Sequence, residues 1–130
     1  MTDTTTDPTT YVPVIDRYLA ALNETDAAKR LELTREVWTE DGGYFDPLQQ
    51  AMGHDDLAAV PVMAHEQAPG QRFVRTSGID AHHGIVRFEW ELAGEDGAVT
   101  LAGVDVGIVA DDGRLSRIAG FFGPIPERES

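Results

Sequence analysis

The stretch Gly84-Ile-Val-Arg-Phe-Glu-Trp-Glu-Leu-Ala93 decides the fold of this chain. Its large apolar side chains stand at every second position, and they are Val86, Phe88, Trp90 and Leu92. Charged side chains occupy the positions between them, at Arg87, Glu89 and Glu91. A period of two is that of a β-strand, so this pattern predicts a strand with one face in the core and the other in water.

The same period of two continues in three neighbouring stretches, which are residues 72–80, 99–110 and 114–122. The last three of these four strands are joined by Gly94-Glu-Asp-Gly97 and Asp111-Asp-Gly113, and such segments are typical of hairpin turns. We therefore predict an antiparallel meander in the second half of the chain. A further short strand, 44–46, follows a predicted turn at Asp41-Gly-Gly43 and ends at Pro47.

The first half of the chain shows helical spacing. One apolar stripe recurs at i, i+4, i+7 and i+11, and it consists of Tyr11, Ile15, Tyr18 and Leu22. A second helix is predicted over residues 26–39, which include Trp38, and a third begins at Gly53-His-Asp-Asp56. Pro61 either kinks this third helix or opens a shorter one. This order indicates an α+β fold, in which three N-terminal helices cover one face of a curved antiparallel sheet.

The composition excludes several classes of function. The chain has 130 residues and a formal net charge of −13 at pH 7, so we expect no nucleic-acid and no membrane partner. It contains no cysteine, no apolar run long enough to span a membrane and no secretory signal pattern at its start. We therefore expect one cytoplasmic domain over residues 9–123, between a disordered tail of residues 1–8 and a short tail of residues 124–130.

Asp105 interrupts an otherwise apolar strand, Val99-Thr-Leu-Ala-Gly-Val-Asp-Val-Gly-Ile-Val109. Burying a carboxylate there costs free energy unless a donor satisfies it or a proton neutralises it, and burial raises the pKa of a carboxyl group. Two interpretations stay open. Either a nearby arginine or Tyr18 satisfies the carboxyl group, or the carboxyl group serves a chemical purpose.

Asp46 and Tyr18 are candidates of the same kind. Asp46 precedes a proline and so lies in extended backbone at a strand end. There its carboxylate either caps a turn or reaches the edge of a pocket, where it can accept a proton. Tyr18 lies on the apolar stripe of the first helix, where it is either a core aromatic with a satisfied hydroxyl group or a donor that faces a pocket.

The order of helices, a Tyr-x-Asp-Pro segment and an antiparallel sheet resembles the nuclear transport factor 2-like superfamily over residues 9–123. Its members include ketosteroid isomerases and SnoaL-like polyketide cyclases, and they share a cone-shaped fold with an apolar pocket. The isomerases match best. Arg17-Tyr-Leu-Ala-Ala-Leu-Asn23 resembles their first-helix segment, and Phe45-Asp-Pro47 resembles the segment that carries their general base. Val104-Asp105 precedes Phe121-Phe-Gly123 at the distance that separates their oxyanion-hole aspartate from a closing Phe-Gly.

The resemblance implies a catalytic role for each of the three matched residues. Tyr18 would donate a hydrogen bond to the substrate oxygen, and Asp46 would be the general base. Asp105 would remain protonated and stabilise the developing oxyanion, as in the ketosteroid isomerase oxyanion hole.

The pocket implied by the resemblance would be bounded by eight substrate-binding residues, namely Trp38, Tyr44, His82, Val86, Phe88, Trp90, Ile118 and Phe122. The apolar members are equally well interpreted as core. His82 is included by strand parity with Val86, although a turn or surface position is the alternative for both His82 and His83. Gly103 and Gly107 flank Asp105 and are expected to open the pocket. The histidines lack metal-ligand spacing, so we expect no metal. The sequence has no glycine-rich phosphate loop, and we expect no cofactor.

Two functions from different classes follow as hypotheses. The first is a small-molecule pocket protein, an isomerase or cyclase that abstracts a proton next to the carbonyl group of an apolar ketone or polyketide-like substrate. The second is a non-catalytic binding protein for a small apolar molecule. In either case Val104, Val106 and Ile108 predict a homodimer, because an exposed apolar patch of this kind is unusual on a monomer.

Overall fold

The computed structural model describes residues 7–129. A short 3-10 helix, Pro8–Tyr11, precedes four α-helices, which are α1 (Val12–Asn23), α2 (Ala27–Val37), α3 (His54–Ala59) and α4 (Val62–Gln67). The strands are β1 (Trp38–Asp46), β2 (Gln49–Met52), β3 (Arg72–Arg75), β4 (Asp80–His82), β5 (Ile85–Ala93), β6 (Val99–Val109) and β7 (Leu115–Phe122). Most of the predicted N-terminal tail lies outside the described residues. None of the described helices is long and apolar enough to cross a membrane.

These strands form one curved sheet in the order β2-β1-β7-β6-β5-β3, and β4 pairs with β5 beside this path. The predicted meander of β5, β6 and β7 is present, with antiparallel pairing throughout. Strands β1 and β7 pair in parallel, so the sheet is mixed where we had expected it to be wholly antiparallel. This parallel pair brings the first strand beside the last one, and no local sequence pattern specifies such a long-range pairing.

The helices pack on the face of the sheet that carries Val86, Phe88 and Trp90, which we call the inner face. Helix α1 buries its stripe there, with Ile15 fully buried and Tyr18 nearly so. The α+β class and the helix-covered curved sheet are therefore confirmed.

The boundary between α2 and β1 differs from the prediction. Helix α2 ends at Val37, and Trp38 is already extended, with φ −106° and ψ 145°. The predicted turn at Asp41-Gly-Gly43 lies inside β1, where the pairing with β7 shifts register between Trp38 and Gly43. Gly42 allows this irregularity because a Cβ atom there would lie 2.7 Å from Cε3 of Trp38.

Pro61 divides the predicted third helix into α3 and α4. It stands directly before Val62, the first residue of α4, so it opens a shorter helix, which is one of the two alternatives in the sequence. The predicted strand over residues 72–80 is divided in the same way, into β3 and β4.

Gly103 and Gly107 lie on β6 where large side chains cross the strand. A Cβ atom at Gly103 would lie 2.7 Å from Cζ2 of Trp90, and one at Gly107 would lie 2.7 Å from Cδ1 of Ile118. The expectation that these glycines open the pocket is wrong, because the space beside them is filled by the indole ring and by the isoleucine.

Two side chains fasten the helices around the inner face. The Asn23 amide donates to the carbonyl oxygen of Phe73 at 2.9 Å and accepts from its backbone N–H at 2.7 Å, which ties the end of α1 to the edge strand β3. Nε2 of His65 lies 2.8 Å from the carbonyl oxygen of Leu22 and joins α4 to α1. These bonds hold α1, α4 and β3 around one space.

Candidate functional site

A cavity of about 300 Å³ lies between the inner face, α1 and α4, at the small end of the range for ligand pockets. Apolar side chains of α1, of α4 and of the turn between α3 and α4 form one wall, and they include Leu19, Leu22, Val60, Met63 and Ala64. Apolar side chains of the sheet form the other, and they are Phe73, Trp90, Leu92, Leu101 and Phe122. Exposed residues of the lining, including Leu48, Gln67 and Thr100, mark its mouth.

Asp105 lies at the buried end of this cavity, with 4% of its surface exposed. Its Oδ2 accepts a hydrogen bond from the Tyr18 hydroxyl group at 3.1 Å, and its Oδ1 accepts one from Nε1–H of Trp90 at 3.1 Å. Burial raises the pKa of Asp105 from 3.8 to about 7, the two hydrogen bonds oppose this rise, and the charge of Asp46 adds to it. The carboxyl group is thus partly protonated near neutral pH.

Asp46 lies at the end of β1, and its carboxylate has both of the roles that the sequence left open, as a turn cap and as a group at the pocket edge. Its Oδ1 accepts from the backbone N–H groups of Leu48 and Gln49, at 2.7 and 3.1 Å, and so caps the turn after Pro47. Its Oδ2 accepts from the Tyr44 hydroxyl group at 2.5 Å. The same side chain lines the cavity. Asp46 is therefore both a turn cap and a cavity carboxylate, and its orientation is fixed by three donors.

Gly120 of β7 marks the point where these groups meet. It pairs with Asp105 across β6 and β7. A Cβ atom at Gly120 would lie 2.9 Å from Oδ1 of Asp105, 3.5 Å from Cβ of Asp46 and 3.6 Å from the hydroxyl oxygen of Tyr44. Asp46, Asp105 and the two tyrosines therefore converge on the floor of one largely apolar cavity.

Both phenols of this cluster are donors at every physiological pH. Burial, followed by the charge of Asp105, raises the pKa of Tyr18 well above its ordinary value. Burial and the hydrogen bond to Asp46 raise the pKa of Tyr44 in the same direction. Each hydroxyl group therefore keeps its proton and can hold it against a carboxylate or present it to a ligand oxygen.

Five of the eight residues predicted to bound the pocket do not line the cavity, and four of these five are apolar. Tyr44, Trp90 and Phe122 line it, whereas the other apolar candidates are buried in the core, and these are Trp38, Val86, Phe88 and Ile118. The Tyr18 ring, which lines the cavity, packs edge to face against two of them, since its centroid lies 6.1 Å from that of Trp38 and 6.4 Å from that of Phe88. Trp38 and Phe88 therefore pack against the tyrosine ring.

The placement of His82 in the pocket is wrong. His83 and Gly84 both have positive φ, 51° and 77°, as a two-residue hairpin turn requires. Across this turn Ala81 pairs with Val86 and His82 pairs with Ile85. Strand parity therefore reverses at the turn, and His82 is exposed on the outer face, where its ring contacts that of His83.

Sequence reasoning missed the wall that α4 and the sheet edge contribute. Phe73 is half-buried in a four-residue strand, too short for its periodicity to be distinctive. Leu101 shares the inner face with Asp105, and Leu19 and Leu22 follow Tyr18 along α1, so their positions were available from parity and helical spacing. Within residues 7–129 no group of three or more His, Asp or Glu side chains is arranged to hold a metal ion.

No family profile and no curated protein matches the sequence. Solved structures do match it. A candidate isomerase of the SnoaL-like family from Agrobacterium tumefaciens shares 35% identity and a TM-score of 0.82, and the alignment covers 89% of this chain and 99% of that one. A candidate SnoaL-like polyketide cyclase from Jannaschia shares 16% identity and a TM-score of 0.70 over 94% of this chain and 91% of that one.

A third match shows how widely the fold is used. A nuclear transport factor 2-like protein of unknown function from Exiguobacterium has 17% identity and a TM-score of 0.65, over 86% of this chain and 99% of that one. At this identity the match concerns the fold alone, whereas the Agrobacterium protein is similar in sequence and in fold along nearly its whole length.

Proposed function

Because the chain belongs to the SnoaL-like family, with a nuclear transport factor 2-like fold, we propose that its cavity binds an apolar ketone or polyketide-like molecule and abstracts a proton next to the carbonyl group. Asp46 is the proposed base, and Tyr18 donates to the carbonyl oxygen as negative charge develops there. The observation that carries this proposal is the convergence of Asp46, Asp105 and Tyr44 on the position of Gly120.

The hydrogen bonds of Asp105 refine its proposed role. Trp90 donates to Oδ1, so the proton of the neutral acid resides on Oδ2, the oxygen that lies 3.1 Å from the Tyr18 hydroxyl group. The acid then donates to Tyr18, and the hydroxyl hydrogen of Tyr18 becomes free to point at a ligand. Asp105 acts through Tyr18 in this arrangement and is a positioning residue, although the sequence resemblance had implied direct contact with the substrate.

A non-catalytic binding protein is the second candidate. It is favoured by the hydrogen bonds of Asp46, since a carboxylate that caps a turn through Leu48 and Gln49 has a structural use without any chemistry. The two candidates share the ligand class and differ only in proton transfer.

Proton exchange between the α-carbon of a bound ketone and solvent separates the two candidates. We expect the wild-type protein to accelerate deuterium incorporation into an enolisable cyclic ketone in D₂O, followed by NMR. Asp46→Asn keeps the shape and removes the base, so the rate should fall by ~10²–10⁴-fold. Tyr18→Phe removes one donor to the oxyanion and should cost ~10²–10³-fold.

Asp111→Asn is the matched control, because it makes the same change of charge at an exposed turn residue. Its exchange rate should equal that of the wild type. Tight ketone binding without accelerated exchange in the wild-type protein would establish the binding candidate instead.

A further inference from the structure

The lining of the cavity contains two carboxyl groups and no cationic side chain. Asp46 and Asp105 lie on its floor, and the lining includes no Lys, Arg or His from the described part of the chain. Its other side chains that can form hydrogen bonds are uncharged, and they are Tyr18, Tyr44, Gln49, Gln67, Trp90 and Thr100. A negatively charged ligand would therefore meet two acids and no counter-ion.

Arg30, the buried cationic side chain of α2, forms its hydrogen bonds outside the cavity. Arg30 of α2 donates from Nε to the carbonyl oxygen of Ala58 at 2.7 Å and from a terminal nitrogen to that of Glu24 at 2.8 Å. His65 on α4 is similarly held by the carbonyl oxygen of Leu22. Neither side chain can turn to an anion in the cavity without giving up these bonds and loosening the helices that form the wall.

Most of the donors on the floor are also in use. Tyr44 donates to Asp46, Trp90 donates to Asp105, and the Gln49 amide donates to the carbonyl oxygen of Val60 at 3.1 Å. The Tyr18 hydroxyl group is the donor that protonation of Asp105 releases. One acceptor atom can thus be served at the buried end, and the rest of a ligand must lie against apolar side chains.

We infer that this cavity selects an uncharged ligand with one acceptor oxygen at its buried end and an apolar body, and that it rejects carboxylates, phosphates and phosphate-bearing thioesters. The inference rests on the proposed function for the choice of a ketone as that ligand. Its physical cause is that an anion would lose its hydration and face Asp46 in a medium that screens charge weakly. The overall charge of −13 works in the same direction at long range.

A matched pair of ligands tests the selection by charge. The neutral member is a 2-tetralone that carries a methyl carboxylate ester, and the charged member is the same 2-tetralone with the free carboxylate. Dissociation constants from isothermal titration calorimetry at pH 6, where Asp105 is mostly protonated and the ligand carboxylate is ionised, should differ by at least ~100-fold in favour of the ester, about 2.8 kcal/mol. In Asp46→Asn the ratio should fall to about tenfold, since one repelling charge is gone, whereas Asp111→Asn should keep the wild-type ratio.

Three outcomes would overturn the inference. These are equal or tighter binding of the carboxylate, a ratio that Asp46→Asn leaves unchanged, and binding of neither member of the pair. Deuterium exchange on the bound ester separates this inference from the proposed function. An ester that binds selectively without accelerated exchange refutes the catalytic proposal and supports the selection by charge. A carboxylate that binds and undergoes accelerated exchange supports the catalytic proposal and refutes the selection by charge.

Discussion

At the scale of single residues, burial of Asp105 makes the stability of the folded protein depend on pH. Its pKa is about 7 in the folded protein and near 3.8 when the chain is unfolded. Between these values the folded state holds a proton that the unfolded state has lost, so stability falls as pH rises through this interval. The shift corresponds to about 4 kcal/mol at pH 8, and the hydrogen bonds from Tyr18 and Trp90 to the carboxyl group keep it from being larger.

Asp105→Asn should remove this dependence on pH. The amide reproduces the neutral acid, since its oxygen can accept from Trp90 and its nitrogen can donate to Tyr18. We expect the variant to match the wild type in free energy of unfolding near pH 4 and to exceed it at pH 8, measured by urea denaturation. Parallel curves for the two proteins from pH 4 to pH 8 would contradict the assignment of a raised pKa to Asp105.

The same proton should control ligand binding. Above pH 7 the ionised Asp105 accepts the hydroxyl hydrogen of Tyr18, and the ketone oxygen loses its donor. Ketone affinity should therefore fall as pH rises through about 7. In Asp105→Asn the affinity should stay constant from pH 6 to pH 9. Calorimetric titrations of an uncharged ketone at four pH values check this, and a wild-type affinity that rises with pH would contradict it.

At the scale of elements, the missing side chain of Gly120 keeps the floor of the cavity open on β7. A methyl group there would lie 2.9 Å from Oδ1 of Asp105, so the carboxyl group would have to move. Gly120→Ala should weaken ketone binding by at least ~10-fold and lower the free energy of unfolding by ~1–3 kcal/mol. Gly78→Ala is the control, since nothing lies within 4 Å of its added Cβ atom. Unchanged affinity in Gly120→Ala would place the ligand elsewhere.

Strand parity and helical spacing were sufficient to predict which residues face the core inside regular strands and helices. The inner face of β5 and the buried stripe of α1 both follow from local periodicity. His82 was misplaced because a two-residue turn reverses parity, and a count along the chain does not show the turn. Trp38 was misplaced because it is apolar and suits the end of α2 as well as the start of β1.

The closure of the cavity could not be predicted, because it depends on contacts between distant segments. The Asn23 amide reaches across to Phe73, and Gly120 gains its significance only from the pairing of β7 with both β1 and β6. Local patterns marked Tyr18, Asp46 and Asp105 as separate candidates, and only the family resemblance, which carries such long-range information, implied that they share one site.

At the scale of the whole molecule, the outer face of the sheet suits a second copy of the chain. Phe121 is 60% exposed, Ile108 46% and Phe45 38%, and Val104 and Val106 lie between them on the same face. We expect a homodimer at micromolar concentration, measured by light scattering on a sizing column, and a monomer in Ile108→Lys, since a buried unpaired charge would oppose association. A wild-type monomer would contradict this.

The central claim is that a ketone lies with its oxygen at Tyr18 and its α-carbon facing Asp46. A crystal structure of the wild-type protein with an uncharged bicyclic ketone tests this most directly. The account predicts a ligand oxygen within hydrogen-bond distance of the Tyr18 hydroxyl group, about 2.6–3.2 Å, and the α-carbon on the side of Asp46. A ketone bound with its oxygen at the mouth, near Gln67 and Thr100, or outside the cavity, would contradict it.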